Sequence, residues 1–307
     1  MIVVTTPTGN IGRQVLGNVL APHSSAAGHP AEPVRVIARD PSRLAPDVRG
    51  RVDVVQGSMN DPEVLARAFA GADTVFWLVP PYSEGAEADG YAVDFTRPAC
   101  AAITAQGVRR VVAVTGIGRD DAPGAPGPGA PVRGGLGTRA LDELIRSTGV
   151  HYRSLRLPAF MENLLRQVAP IRSQGAFFLP VSGDRRIPTC ATRDVAAVAA
   201  GLLLDGSWTG QEGVPVLGPE DLSYDEMATV MSDVLGRPIR FRQVPGEVFK
   251  ADLMRHGMPD AWAQSVVDLL AEVDHGLYDA EPRTPASTTP TSFRQWCEEV
   301  LRPAVAG

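Results

Sequence analysis

Lysine is almost absent from this 307-residue chain: of its 29 basic residues, Lys250 is the only lysine. A widespread proton-donating pair in dehydrogenases is Tyr-x-x-x-Lys, in which the lysine lowers the pKa of the tyrosine that protonates a carbonyl oxygen. No tyrosine stands four residues before Lys250. The sequence therefore excludes that pair, and ordinary alcohol–ketone interconversion through it is not expected.

Cysteine and histidine are also scarce, with three cysteines far apart in the chain and five histidines that form no i, i+4 pair. Structural zinc usually needs four clustered nitrogen and sulfur ligands, so we expect no metal site. An odd number of distant cysteines is typical of buried thiols in a reducing compartment.

Long apolar runs are missing as well, because no stretch approaches the roughly 18 residues that span a bilayer. The first residues do not follow the pattern of a signal peptide. The net charge of −6 disfavours nucleic acid as a partner. We expect a cytoplasmic protein, monomeric or homodimeric, that binds neither a membrane nor nucleic acid.

Short β-branched runs alternate with helical patterns through the first half of the chain. The predicted strands are residues 2–5, 34–38, 52–56, 74–79, 111–114 and 152–157, and the predicted helices are 11–20, 62–70, 92–106 and 139–147. Asp61 before Pro62 predicts an N-cap with proline in the first helical position. Such alternation is typical of a parallel sheet covered on both faces. We predict an α/β fold with a Rossmann-type doubly wound parallel sheet.

The second half is less regular and favours a smaller, mainly helical lobe. Predicted helices are 193–204, 224–235, 245–256, 260–274 and 292–301, with one strand at 214–217. Thr192 is a candidate N-cap, and Ser223 with Glu226 has the spacing of a capping box. We predict a nucleotide-binding domain of residues 1–158, to which 187–218 return, and a substrate-binding lobe of 159–186 and 219–307. The Gly- and Pro-rich residues 120–137 are either a surface loop or a lid.

A glycine-containing turn joins the first strand to the first helix. In residues 6–12, Gly9 would let the backbone approach a pyrophosphate, and Gly12 would let the helix pack close to the strand. Thr6 occupies the place where the usual pattern has its first glycine. The turn predicts a dinucleotide site.

The end of the second strand indicates which dinucleotide is bound. Arg39 stands where a basic side chain would pair with the 2′-phosphate of NADPH, and Arg13 and Arg43 could assist. Asp40 favours NADH instead, although Asp-Pro more often opens a turn. We predict that NADP(H) is preferred and that NAD(H) is possible.

Taken together, these segments resemble the NmrA-like group of atypical short-chain dehydrogenases, and most of all its triphenylmethane reductase and NADPH:quinone oxidoreductase branch. The resemblance runs through residues 6–12, 39–41, 57–58, 70–73, 146–150, 155–163, 191–196 and 222–226. The position that resembles the usual lysine is Thr138, and Gly134 stands four residues before it.

The resemblance implies which residues line the cofactor. These are Thr6, Thr8, Gly9, Asn10, Ile11 and Gly12 at the pyrophosphate, Arg39 at the adenosine phosphate, Gly57 and Ser58 near the adenine, and Leu78, Val79, Pro80, Thr115, Gly116, Ile117, Pro158 and Phe160 around the ribose and nicotinamide. Met161 and Asn163 would reach towards the substrate. Candidate catalytic residues are Tyr82, Thr138 and Asn163.

Two functions remain open. The first is a reductase that passes hydride to a flat conjugated acceptor such as a quinone or a specialised metabolite, with orientation supplying most of the catalysis. Six apolar residues, Phe177, Phe178, Leu179, Trp262, Val266 and Leu269, are either the walls of its hydrophobic pocket or ordinary core. The second is a non-catalytic NADP(H)-binding sensor that acts through a partner protein. An isomerase with a bound cofactor, or a biosynthetic enzyme for one metabolite, is a third possibility.

Overall fold

The computed structural model describes residues 1–21, 32–80, 90–118 and 138–307. The strands are β1 (Ile2–Val4), β2 (Val34–Ala38), β3 (Asp53–Gln56), β4 (Thr74–Trp77), β5 (Arg110–Gly116), β6 (His151–Leu157), β7 (Ala159–Phe160), β8 (Ala176–Leu179), β9 (Arg186–Cys190), β10 (Gln211–Pro215), β11 (Asp221–Ser223) and β12 (Arg240–Gln243). The α-helices are α1 (Asn10–Val19), α2 (Pro46–Arg49), α3 (Pro62–Phe69), α4 (Tyr91–Gln106), α5 (Thr138–Arg146), α6 (Val168–Gln174), α7 (Thr192–Leu204), α8 (Tyr224–Leu235), α9 (Gly246–Arg255), α10 (Asp260–Asp274), α11 (Phe293–Trp296) and α12 (Arg302–Ala306).

The central sheet contains seven strands in the order β10-β6-β5-β4-β1-β2-β3, and every neighbouring pair is parallel. The chain proceeds outwards from β1 to β3 and then crosses back to the other side of β1 at β4. The carboxyl ends of β1 and β4 therefore form the switch point at which ligands bind in doubly wound sheets. The predicted Rossmann-type fold is confirmed.

Both faces of the sheet are covered by helices, which explains why β1 and β4 are fully buried and, apart from Thr74, apolar. One face packs against α1 and α7, where Val15, Leu16 and Val195 are buried. The other packs against α3, α4 and α5, with Leu65 and Phe69 at its centre. Burying each of those two side chains contributes about 2–3 kcal/mol.

Local signals place several helix ends correctly. Asp61 caps α3 through the amides of Glu63 and Val64, with Pro62 at the first position. Ser223 and Glu226 form the predicted capping box of α8, with both reciprocal hydrogen bonds present.

The predicted N-cap of α7 is wrong. Thr192 is the first residue of the helix and Ala191 is its N-cap. The Thr192 hydroxyl does not cap the helix amides because it donates to Glu162 Oε1 at 2.9 Å. Glu162 stands 30 positions earlier in the chain.

The lobe contains more strand than the sequence predicted. The strands β8 and β12 pair in parallel, and β9 lies between β7 and β11 in a second small sheet. The strand expected at 214–217 is β10, which begins at Gln211 and ends at Pro215. The helix expected at 292–301 ends as α11 at Trp296 and continues as a π-helical turn, Cys297–Leu301.

Within the described residues, no helix is long and apolar enough to cross a membrane. The same part of the chain contains no group of three or more histidine, cysteine or acidic residues placed to hold a metal ion.

Candidate functional site

The switch point of the sheet is fixed by Thr5, the first residue after β1. Its buried hydroxyl donates to the Phe76 carbonyl at 2.8 Å and accepts from the Leu78 amide at 3.3 Å. Because these bonds join the ends of β1 and β4, the chain that leaves β1 starts from a fixed position.

The turn that follows has an unusual backbone. Thr6 is the one non-glycine residue of the described chain with positive φ, at 54°. That conformation costs a residue with a Cβ about 1–2 kcal/mol. Its carbonyl accepts from the Gly9 amide at 3.0 Å, and a Cβ on Gly12 would collide with the same carbonyl oxygen. Gly12 is therefore a steric requirement of the strand–helix contact.

The first turn of α1 is open to an anion. Gly9 is its N-cap, with no side-chain cap, and the turn contains no acidic residue. Unsatisfied amides at a helix start carry partial positive charge and bind phosphate. The Thr6 hydroxyl is buried beside this turn and has no hydrogen-bond partner among the described residues. Thr6, Gly9 and Gly12 thus lie together at the first turn of α1.

The end of β2 carries two exposed guanidinium groups, Arg39 and Arg43. Asp40 is held in the turn after β2, because its Oδ1 accepts from the Ser42 amide at 2.9 Å and from the Ser42 hydroxyl at 2.6 Å. Those hydrogen bonds, and after them Arg43 and Arg49, hold the pKa of Asp40 below its usual value. Arg13 is exposed on α1.

The turn after β3 is the predicted adenine wall. Gly57 has φ 149°, and a Cβ there would collide with the Val64 side chain, so only glycine fits. The Ser58 hydroxyl donates to Asn60 Oδ1 at 2.7 Å, which closes the turn on itself.

The predicted nicotinamide wall is formed by the ends of β4, β5 and β6. Leu78, Val79 and Pro80 are half-buried after β4. The Ile117 amide donates to the Leu157 carbonyl at 3.0 Å, and this bond joins the ends of β5 and β6. Thr115 and Gly116 end β5, whereas Pro158 and Phe160 follow β6.

The candidate catalytic residues lie on different segments of the chain. Asn163 is exposed on the 3₁₀ turn Met161–Gln167, and Thr138 is the first residue of α5. Tyr82, Gly134 and the possible lid at 120–137 lie outside the described residues. Met161 does not face a substrate site, because it is 1% exposed in the core of the lobe.

A polar network missed by the sequence prediction lies behind Thr115. Asp142 of α5 accepts from the Tyr152 hydroxyl at 2.6 Å and the Ser154 hydroxyl at 2.9 Å, and Ser154 Oγ lies 2.8 Å from Thr115 Oγ1. Burial raises the pKa of Asp142, and burial together with Asp142 holds the pKa of Tyr152 well above its usual value. The available signal was position, since Asp142 stands one helical turn after Thr138.

The six apolar wall candidates divide into core and surface. Phe177 is fully buried 5.2 Å from the Phe241 ring, and Leu269 packs against the same core. Trp262 meets Tyr91 edge-on at 5.2 Å between α10 and α4. Leu179 also packs against the core around Phe177, whereas Phe178 and Val266 are partly exposed.

The lobe also has a cavity of about 770 Å³ with a charged lining. Three arginines and five carboxylates line it: Arg185, Arg186, Arg283, Asp184, Asp221, Asp274, Asp279 and Glu281. Glu281 accepts from Arg156 of β6 at 2.7 Å, and Arg156 is in register with Thr115. One wall of the cavity is therefore bonded to the strand end beside the predicted nicotinamide wall.

The chain is similar to a known protein family and to proteins of known activity. The model of the NmrA-like family matches residues 1–290. A (4-alkanoyl-5-oxo-2,5-dihydrofuran-3-yl)methyl phosphate reductase of Streptomyces griseus is 34% identical over 271 residues, 86% of each chain. An NAD(P)H azoreductase of Xenophilus azovorans is 29% identical over 288 residues, 92% of each chain.

Solved structures share the fold at low identity. An NADPH-dependent quinone oxidoreductase from Escherichia coli, complexed with NADPH, aligns with a TM-score of 0.78 and 20% identity over 98% of this chain and 100% of its own. The triphenylmethane reductase of Citrobacter sp., complexed with NADP(H), aligns with a TM-score of 0.74 and 18% identity over 96% and 98%.

Proposed function

Because this chain belongs to the NmrA-like family, we propose that it is a reductase that uses NADPH to reduce a small conjugated acceptor. The predicted resemblance to this family is confirmed. The curated relatives named above support an NAD(P)H-dependent reductase, and the acceptor class and the assignment of site residues are our proposals.

The observation that carries the proposal is the turn from Thr6 to Gly12 at the switch point of the sheet. Its helix start is uncapped, a Cβ at Gly12 is forbidden, and an unpartnered hydroxyl is buried next to it. These features fit a pyrophosphate, which brings charge and accepts hydrogen bonds from amides and hydroxyls.

Arg39 favours NADPH over NADH. Its exposed guanidinium stands at the end of β2, where a 2′-phosphate lies in dinucleotide folds. Asp40 Oδ1 accepts two hydrogen bonds from Ser42, which turns part of this carboxylate away from a ribose hydroxyl. NADPH, when bound, would supply hydride from its nicotinamide ring.

The chain's own residues bind and orient. The ends of β4, β5 and β6 would hold the nicotinamide, with Leu78, Val79 and Pro80 on one side and Thr115 and Pro158 on the other. We propose that residues 1–158 with 187–218 bind the nucleotide and that 159–186 with 219–307 cover the substrate. With no Tyr-x-x-x-Lys pair in the sequence, we expect acceptors that need hydride at an electrophilic atom.

The acceptors named for two relatives, an unsaturated furanone phosphate and azo compounds, suit the same proposal. For this chain we therefore propose quinones, unsaturated lactones and azo dyes as the first classes to test. Monomer or homodimer remains the predicted state of assembly.

The test is NADPH fluorescence in one cuvette. We expect enhanced emission on adding the protein and decay of that emission on adding an acceptor from these classes. Enhancement without decay across the panel would contradict the proposed reductase and favour the non-catalytic sensor. No enhancement with either NADPH or NADH would contradict the dinucleotide site itself.

A further inference from the structure

A chain of hydrogen bonds leads inwards from the predicted nicotinamide wall. Thr115 Oγ1 lies 2.8 Å from Ser154 Oγ, which lies 2.9 Å from Asp142 Oδ1, and the Tyr152 hydroxyl donates to that same oxygen at 2.6 Å. We propose that Thr115 donates the proton that completes reduction of the acceptor, and that Ser154 and Asp142 orient its hydroxyl and resupply the proton. This inference rests on the proposed function.

The fold places Thr115 at the right edge for this task. Trp77, the last residue of β4, is in register with Ala113 of β5, so Thr115 lies two residues beyond the end of β4. Side chains alternate along a strand, so Thr115 shares a face with Ala113, which is in register with Ser154. Ligands of doubly wound sheets bind outside the carboxyl ends of the strands.

The network can point its hydrogens in either direction. With Asp142 ionised, Tyr152 and Ser154 both donate to its carboxylate, and Thr115 donates inwards to Ser154 or to the Leu155 carbonyl. With Asp142 protonated, it donates to Ser154 and Ser154 donates to Thr115, so the Thr115 hydrogen leaves Ser154 and points either to the Leu155 carbonyl or outwards. Only the second arrangement can deliver a proton.

Burial favours the protonated form of Asp142. It raises the pKa of that carboxyl, whereas the hydrogen bonds from Tyr152 and Ser154 and the charges of Arg146 on α5 and Arg156 on β6 lower it. Glu281 of the lobe is paired with Arg156 and so offsets part of its charge. Tyr152, whose pKa is well above its usual value, keeps its proton and acts as a donor to Asp142 throughout.

The atoms and electrons balance with NADPH as the reductant. The acceptor gains a hydride, which forms one new bond to hydrogen, while NADPH becomes NADP⁺. The displaced electron pair leaves an anion on the acceptor, and this anion takes the proton from Thr115 Oγ1. Thr115 is reprotonated by Ser154 and Ser154 by Asp142, which is partly exposed and regains its proton from water.

The first test measures the titration of Asp142 without turnover. Carbon-13 labelling of aspartate side chains lets NMR follow the Asp142 carboxyl as pH rises, with Asp142→Asn to assign the signal. We expect the rate of NADPH oxidation by wild-type protein to fall as pH rises through the same pKa. Tyr152→Phe removes a hydrogen bond to the carboxylate, so it should move both the NMR titration and the fall in rate to higher pH.

The second test separates the proton donor from its support. Thr115→Val should lower kcat by about tenfold or more, whereas Thr115→Ser keeps the hydroxyl and most of the activity. Thr104→Val, at an exposed threonine of α4, is the matched control and should leave kcat and the NADPH affinity unchanged. Asp142→Asn should lower kcat and remove the fall in rate with pH.

Four results would overturn the relay while wild-type NADPH oxidation still supports the proposed function. They are a wild-type rate that does not change with pH, an NMR pKa that differs from the kinetic one, an Asp142→Asn variant with the wild-type pH profile, and unchanged kcat in Thr115→Val. If Asp142→Asn does not fold, the Tyr152→Phe shift decides the matter. A wild-type protein that oxidises no NADPH with any acceptor overturns both proposals.

Discussion

The proposed nucleotide-binding edge of the sheet and the charged cavity of the C-terminal lobe are built from different kinds of contact. At the edge, backbone atoms set the geometry, as where the Thr6 carbonyl leaves no room for a side chain at Gly12. Around the cavity, charged side chains do so, as in the pairs Arg156–Glu281 and Arg186–Glu226. A backbone-built site tolerates few residue types, whereas a side-chain-built site can change its ligand without changing the fold.

The largest effect is expected at Gly12, where the backbone-built edge can be broken by one methyl group. Gly12→Ala places a Cβ against the Thr6 carbonyl, so we expect a loss of about 1–3 kcal/mol in the free energy of unfolding. NADPH binding should weaken at least as strongly, because the helix start is displaced. Urea unfolding and NADPH fluorescence titration measure the two effects.

Gly17 on the same helix is the matched control. A Cβ there would meet nothing within 4 Å, so Gly17→Ala should stabilise the protein by about 0.5–1 kcal/mol through helix propensity. Equal losses in both variants would show that α1 tolerates no substitution and would remove the special role given to Gly12.

Arg39 tests whether the edge selects its cofactor through one side chain. Arg39→Ala should weaken NADPH binding by about tenfold to a hundredfold, because the 2′-phosphate would lose its charged partner. NADH has no 2′-phosphate, so its binding should stay nearly unchanged. Dissociation constants for both cofactors measure this. Arg255→Ala, at an exposed arginine of α9, is the control. An unchanged ratio of the two constants would disprove the assignment.

Ser223 offers the corresponding test in the lobe. Ser223→Ala removes the hydroxyl that accepts from the Glu226 amide, and we expect a loss of about 1 kcal/mol in unfolding free energy. Ser173→Ala, which removes an exposed hydroxyl within α6, should change stability by less than about 0.5 kcal/mol. Thermal unfolding of both variants would show whether the capping box, rather than any helix serine, matters.

The smallest effect is expected at Thr6. Thr6→Gly relieves a left-handed conformation worth about 1–2 kcal/mol but adds about 0.5–1 kcal/mol of backbone entropy to the unfolded chain, so the net gain in stability is about 1 kcal/mol or less. NADPH affinity should fall, because the buried hydroxyl would be lost from the proposed phosphate site. A variant that is more stable and binds NADPH equally well would show that this hydroxyl has no part in binding.

Sequence patterns were informative wherever the determinant was local. Asp61 with Pro62 marks the start of α3, and Ser223 with Glu226 marks the start of α8, since each cap is formed within four residues. The strands and the glycine turn were likewise predictable. The alternation of apolar strand segments with helical segments, and the need for glycine at a close strand–helix contact, both depend on residues near each other in sequence.

The remaining features depend on partners distant in sequence. Thr192 is a residue type that often caps helices, yet its hydroxyl donates to Glu162. A local sequence pattern cannot predict that partner, because the two residues are 30 positions apart. Asp142, Tyr152 and Ser154 form their network only when α5 lies against β6. The two-stranded pair β8 and β12 is too short to show a period and is separated by about sixty residues.

The route of the chain makes the two halves inseparable. After β6 the chain enters the lobe, returns through α7 and β10 to the central sheet, and leaves again. Thr192 joins the parts, because it accepts from Gln14 of α1 at 3.0 Å and donates to Glu162 of the lobe at 2.9 Å. A truncation at residue 158 would therefore remove the helix that covers α1 and the edge strand of the sheet. We therefore expect that residues 1–158, expressed alone, do not form a self-sufficient folded module.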